Sequence, residues 1–144
     1  MSPHTIFYPM AALVALTMAA VTAVALLRFR AVGRGEVSED FYQLFRGEGR
    51  PDLEAKLSRH YQNLLELPIL FYVVGLAIFA AGIEDRTFVN LLWLFVAIRI
   101  VHMAVHVSYN RPAHRAAAFA LGLFVLIAVW IRFLMLVGGG GAAA

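Results

Sequence analysis

The sequence predicts an all-α membrane protein built as an up-down bundle of four transmembrane helices, and three observations predict it. Hydrophobic residues make up 62% of the chain and charged residues only 15%, against the roughly one quarter charged that is usual in soluble domains. The charges are segregated, since 13 of them fall between Arg28 and Arg59. What remains is divided into four apolar runs, each about the length of roughly 20 residues that crosses the hydrocarbon of a bilayer. A chain of 144 residues holds that bundle as one domain, with no room for a separate soluble catalytic domain.

The first helix is expected over about 6–27, where Ile6 to Leu27 carries no charge. A cleaved signal peptide is the rival reading. It is disfavoured because no Lys or Arg precedes the run, which also exceeds the roughly 7 to 15 residues of a signal core. The long basic connection over about 28–52 contains Gly33, Gly35, Gly47, Gly49 and Pro51 as breaks. Within it Phe41, Leu44 and Phe45 recur at helical spacing, which suggests a short interfacial helix or a plain loop.

A second helix is expected over about 53–83, with Asp52 placed to cap it and Leu53, Leu57 and Leu64 carrying the helical period into the membrane. The third (about 87–108) and fourth (about 114–137) follow, joined by short polar turns, and the Gly138 to Ala144 tail carries no pattern. Short turns make sequential helices antiparallel. Lys and Arg number seven from Arg28 to Arg59, across the first connection and the start of the second helix, against one in the second connection and two in the third. By the positive-inside rule, the first and third connections then face the cytoplasm and both termini lie outside.

Several chemistries are excluded or weakened by composition. The absence of cysteine removes thiolate nucleophiles, thiolate metal sites and disulfides. The net charge of +3 does not indicate nucleic-acid binding, because the basic residues are interleaved with acids beside the spans, where they set topology.

Charged and strongly polar residues inside spans cost about 2.5 to 3.5 kcal/mol each at mid-helix and mark function by default. Arg59, Asn63 and Glu66 are spaced four and three apart, which places them within about 40° on one helix face. This polar stripe extends roughly 10 Å from the rim into the bilayer. An interhelical salt bridge is its plain structural alternative. Pro68 removes a backbone bond from the same helix. In the third helix, Arg99, His102 and His106 share a face. The two histidines could share a metal ion, but the only further ligand in view is the distant Glu66, so no metal site is expected. His60 and His114 read as interfacial, and Arg111 and Arg115 as an anion-binding pair or as anchors of helix ends.

The segment Arg59-His60-Tyr61-Gln62-Asn63-Leu64-Leu65-Glu66-Leu67-Pro68 resembles the helix-two signature of the MAPEG superfamily, the membrane-associated proteins in eicosanoid and glutathione metabolism. Asn63 to Tyr72 is similar to the bacterial branch of that superfamily, and Arg99-x-x-His102-x-x-x-His106 resembles its third helix. The resemblance implies a homotrimer in the lipid of a bacterial inner membrane, with glutathione bound between neighbouring subunits near the cytoplasmic face. It implies Arg59, Asn63 and Glu66 as glutathione-holding positions, with His102 and His106 lining the site. Arg115, or failing it Arg111, would stabilise the thiolate, and Arg28 or Arg30 would contribute across the interface. The tripeptide's carboxylates suit guanidinium groups and its ammonium suits Glu66. The function implied is a glutathione-dependent transferase or peroxidase acting on lipophilic small molecules; the alternative is a non-catalytic scaffold or lipid-binding subunit on the same fold. This chain departs from the eukaryotic pattern, in which tyrosines follow the helix-two Glu and line the third helix. Here Leu67, His102 and His106 stand instead.

Overall fold

A computed structural model describes residues 3–37 and 52–140. A single 3-10 turn, Pro3–Ile6, leads into α1, Phe7–Gly33, followed by α2, Asp52–Ala80, α3, Arg86–Val107, and α4, Pro112–Gly140. All four helices are long and apolar enough to cross a membrane. In hydrocarbon, a continuous helix is the economical answer because it satisfies its own backbone polar groups. The segment around Phe41, Leu44 and Phe45 lies outside the described residues.

The ends of the helices follow local chemistry. Helix α1 runs on past Leu27 to Gly33, so Arg28 and Arg30 belong to its last turns rather than to the connection. Helix α2 stops at Ala80, earlier than about residue 83, and Gly82 then adopts φ +65°, a left-handed conformation that costs glycine little. Asp85 caps α3 by accepting from the Thr87 backbone N–H at 2.8 Å. At the other end of α3, Asn110 takes φ +51° and its N–H donates to the Val105 carbonyl at 2.9 Å, a left-handed helix end that asparagine tolerates. Pro112 then starts α4, at a position where its missing N–H costs nothing. Helix α4 continues through Gly140, so part of the glycine tail is helical.

The bundle is flattened. Helices α2 and α3 form its centre, with α1 packed chiefly on α2 and α4 on α3, while α1 and α4 scarcely touch. Burial follows from this arrangement: 39% and 33% of the most apolar windows of α2 and α3 are buried, against 22% and 17% for α1 and α4. The core is close-packed around Leu64, Phe71, Leu92, Phe95 and Val129. Phe71 and Phe95 stack across α2 and α3 with centroids 4.9 Å apart, and such pairs contribute about 0.5–1.5 kcal/mol beyond their buried area. Packing of this kind must hold the helices together, since lipid tails are as apolar as the core. Phe29, Phe124 and Met135 point outward, toward lipid or another subunit.

Candidate functional site

Two polar centres lie in the half of the bundle that contains the α3–α4 turn. The first is a cavity of about 310 Å³ lined by Asn63, His102, Pro112, Arg115, Ala116 and Phe119. Three helices supply it, with Asn63 from the α2 stripe, His102 from α3 and Arg115 from the first turn of α4. The α3–α4 turn positions Arg115, whose Nη1 donates to Asn110 Oδ1 at 3.0 Å. Its Nε is buried without a partner, which leaves donor capacity on a half-buried guanidinium at the cavity wall.

The second centre is a triangle of buried histidines. His60, His102 and His106 have ring centroids 5.5, 5.7 and 5.7 Å apart, and one ligand atom from each lies within 4.8 Å of the others. His60 and His106 are fully buried and His102 is 3% exposed. His60 therefore does not sit at an open interface, and it is the third imidazole that the α3 pair had appeared to lack. It escaped the sequence reading because α2 periodicity places it off the Arg59–Asn63–Glu66 face.

Arg99, one turn before His102, is 1% exposed. Among the described residues no hydrogen-bond partner reaches its guanidinium nitrogens, and its Cζ lies 4.9 Å from the Phe95 centroid and 5.4 Å from the Phe119 centroid. Cation–π attraction offsets some of its burial. Gly122 makes room for it, since a Cβ there would stand 3.3 Å from Arg99 Nη2.

The remaining expected site residues are placed less centrally. Arg59 and Glu66 are exposed on the protomer surface, and among the described residues no ion pair joins either to another helix. Among the described residues the stripe therefore makes no interhelical salt bridge within a protomer. Arg30 and Arg111 are exposed. Arg28 is engaged inside the protomer, pairing with Glu54 at 2.9 Å. His114 shares a 2.9 Å hydrogen bond with the Tyr109 hydroxyl. Arg132 of α4, not singled out by the sequence, donates through Nε at 2.7 Å and also through Nη2 to Asp85 Oδ2.

Four helices long and apolar enough to cross a membrane, with His60, Arg99, His102 and His106 buried among them, define a multi-pass membrane protein. The chain matches the model of the MAPEG family over residues 6–135 and belongs to that family. Glutathione transferases, glutathione peroxidases and non-catalytic proteins are all among its members. Neither the curated proteins nor the solved structures yielded a match.

Proposed function

We propose that the protein is a glutathione-dependent membrane transferase or peroxidase acting on lipophilic electrophiles, with the thiolate stabilised by Arg115. The observation that carries this reading is the shared cavity of Asn63, His102 and Arg115, three candidate site positions that arrive from three different helices, of which Asn63 is one the family resemblance gives to glutathione. A thiol has an ordinary pKa near 8.5. A guanidinium with free donor capacity in a low-dielectric wall favours the thiolate, which is the nucleophile. An apolar groove of about 640 Å³ beside Arg28, lined by Val21, Val24, Ala25, Phe29 and Tyr61 among others, suits a co-substrate that partitions from lipid.

The active unit in this proposal is a homotrimer. Glu66 lies within a membrane span and is exposed on the protomer, and a charge at that depth is costly when it faces lipid. A neighbouring copy would cover the Arg59–Glu66 face and complete a site between subunits, with Asn63 at its inner edge. The charge bias of the connections orients both termini outside, and the resemblance to the bacterial branch implies a bacterial inner membrane.

Titration of detergent-purified protein with glutathione, followed by ultraviolet thiolate absorbance at neutral pH, tests the enzyme reading. Wild type should develop the thiolate signal and Arg115→Ala should lose most of it. No signal at saturating glutathione would defeat the proposal and leave the non-catalytic alternative.

A further inference from the structure

We infer that His60, His102 and His106 form a three-histidine binding site for a divalent first-row transition metal such as Zn2+, with a fourth coordination position left for an exogenous anion. The inference does not rest on glutathione being the ligand of the neighbouring cavity.

The geometry is that of a nearly closed ligand set. The three ring-to-ring separations differ by only 0.2 Å, from 5.5 to 5.7 Å, so no histidine is an outlier from the triangle. Three nitrogens bound to zinc at about 2.0–2.1 Å in tetrahedral directions stand about 3.3 Å apart. Here the ligand atoms already lie within 4.8 Å of one another, and side-chain rotations of about an ångström each would close the set. Imidazole nitrogen is a borderline donor that suits zinc, copper, iron and nickel rather than calcium or magnesium.

The hydrogen-bond inventory points the same way. A histidine kept only for packing ordinarily satisfies its buried ring nitrogens. Both ring nitrogens of His60, both of His106 and Nδ1 of His102 are buried with no partner. Three adjacent imidazoles in this state form a cluster of buried, unpaired ring nitrogens, and a cation would satisfy one nitrogen of each ring at once. Access is available through His102, which belongs both to the triangle and to the wall of the Asn63–Arg115 cavity.

Arg99 sets a condition on the bound state. Its buried guanidinium is one helical turn from His102, and two positive centres at low dielectric repel strongly. The fourth ligand must therefore be an anion, such as hydroxide or a thiolate, which lowers the net charge of the centre. Three protein ligands with one open position is the arrangement of catalytic rather than structural zinc.

The experiment uses the full chain, purified in detergent and stripped of metal, and titrates it with Co2+ as a spectroscopic substitute for Zn2+. One Co2+ per protomer should bind, with the intense visible bands of four-coordinate cobalt, and Zn2+ should bleach them. His60→Ala, His102→Ala and His106→Ala should each weaken binding by roughly 100-fold or more, beyond the 10–100-fold typical of losing an outer-shell partner alone. His114→Ala should leave the titration unchanged. Because a buried histidine variant can fail to fold, wild-type protein carrying nitrogen-labelled histidine provides a second reading: Zn2+ should move the ring signals of three of the five histidines. Absence of stoichiometric binding, weak six-coordinate bands, titrations unaltered by the three substitutions, or zinc-induced shifts confined to His4 and His114 would overturn the proposal.

Discussion

Nε of Arg28 donates to Oε1 of Glu54 at 2.9 Å, tying the last turns of α1 to the first turns of α2. Ser58 Oγ donates to the same oxygen at 2.7 Å, and the Glu54 side chain is fully buried while that of Arg28 is 41% exposed. The sequence-based role of Arg28, a contribution across a subunit interface, thus competes with a contact inside the protomer. Removing Arg28 would take a hydrogen-bonded cation from a buried carboxylate, which is costly even where other groups partly replace the lost contact. Arg28→Ala should destabilise the protein by about 1–3 kcal/mol, and thermal melting should show the same loss with and without glutathione. A loss confined to the glutathione-bound protein would return Arg28 to the ligand site.

For Glu66, stability and binding should separate. Its carboxylate has no partner within the protomer among the described residues, so neutralising it removes no ion pair there. Glu66→Gln should shift stability without ligand by no more than about 0.5 kcal/mol, while abolishing the extra melting stability that saturating glutathione confers through linkage. If the variant instead melts far earlier without ligand, and glutathione stabilises neither protein, the stripe serves assembly rather than binding.

The Asp85–Arg132 pair makes an acid-sensitive contribution outside the candidate site. Burial alone would raise the Asp85 carboxyl; the Thr87 N–H and the Arg132 guanidinium more than offset it and hold the carboxyl below its ordinary value of 3.8. A group depressed in this way contributes stability that is fully present above the unfolded value and lost as pH falls through the folded one. Asp85→Asn keeps a helix-capping side chain but loses the charge. It should therefore melt below wild type at pH 6, with the difference shrinking once the pH falls below about 3.8. A difference that stays constant from pH 6 to pH 3 would show that the pair contributes nothing through ionisation.

Subunit number can be read directly. The weakly buried α1 and α4 faces and the exposed Glu66 call for covering surface, and native mass spectrometry in mild detergent should show three copies. Arg59→Ala together with Glu66→Ala should reduce the trimer fraction if that face is the interface. A monodisperse monomer in wild type would contradict the trimer.

Most of the architecture was legible before any coordinates, because span length and charge-free runs are set by bilayer thickness, and the short polar turns leave consecutive helices no choice but to run antiparallel. The sequence also pointed to the family, through the Arg59 to Pro68 signature, which the match over residues 6–135 bears out, and it singled out Asn63, His102 and Arg115 individually as candidate site positions. The tertiary structure alone decided which of these meet. It placed His60 against His102 and His106, gave Arg132 to Asp85 and Arg28 to Glu54, and put α2 and α3 at the centre with α1 and α4 on the flanks. The physical reason is that helical periodicity reports which residues share a face of one helix, never which face of another helix they meet. In a membrane even the usual guide is lost, since lipid-facing and core-facing side chains are equally apolar and only packing tells them apart.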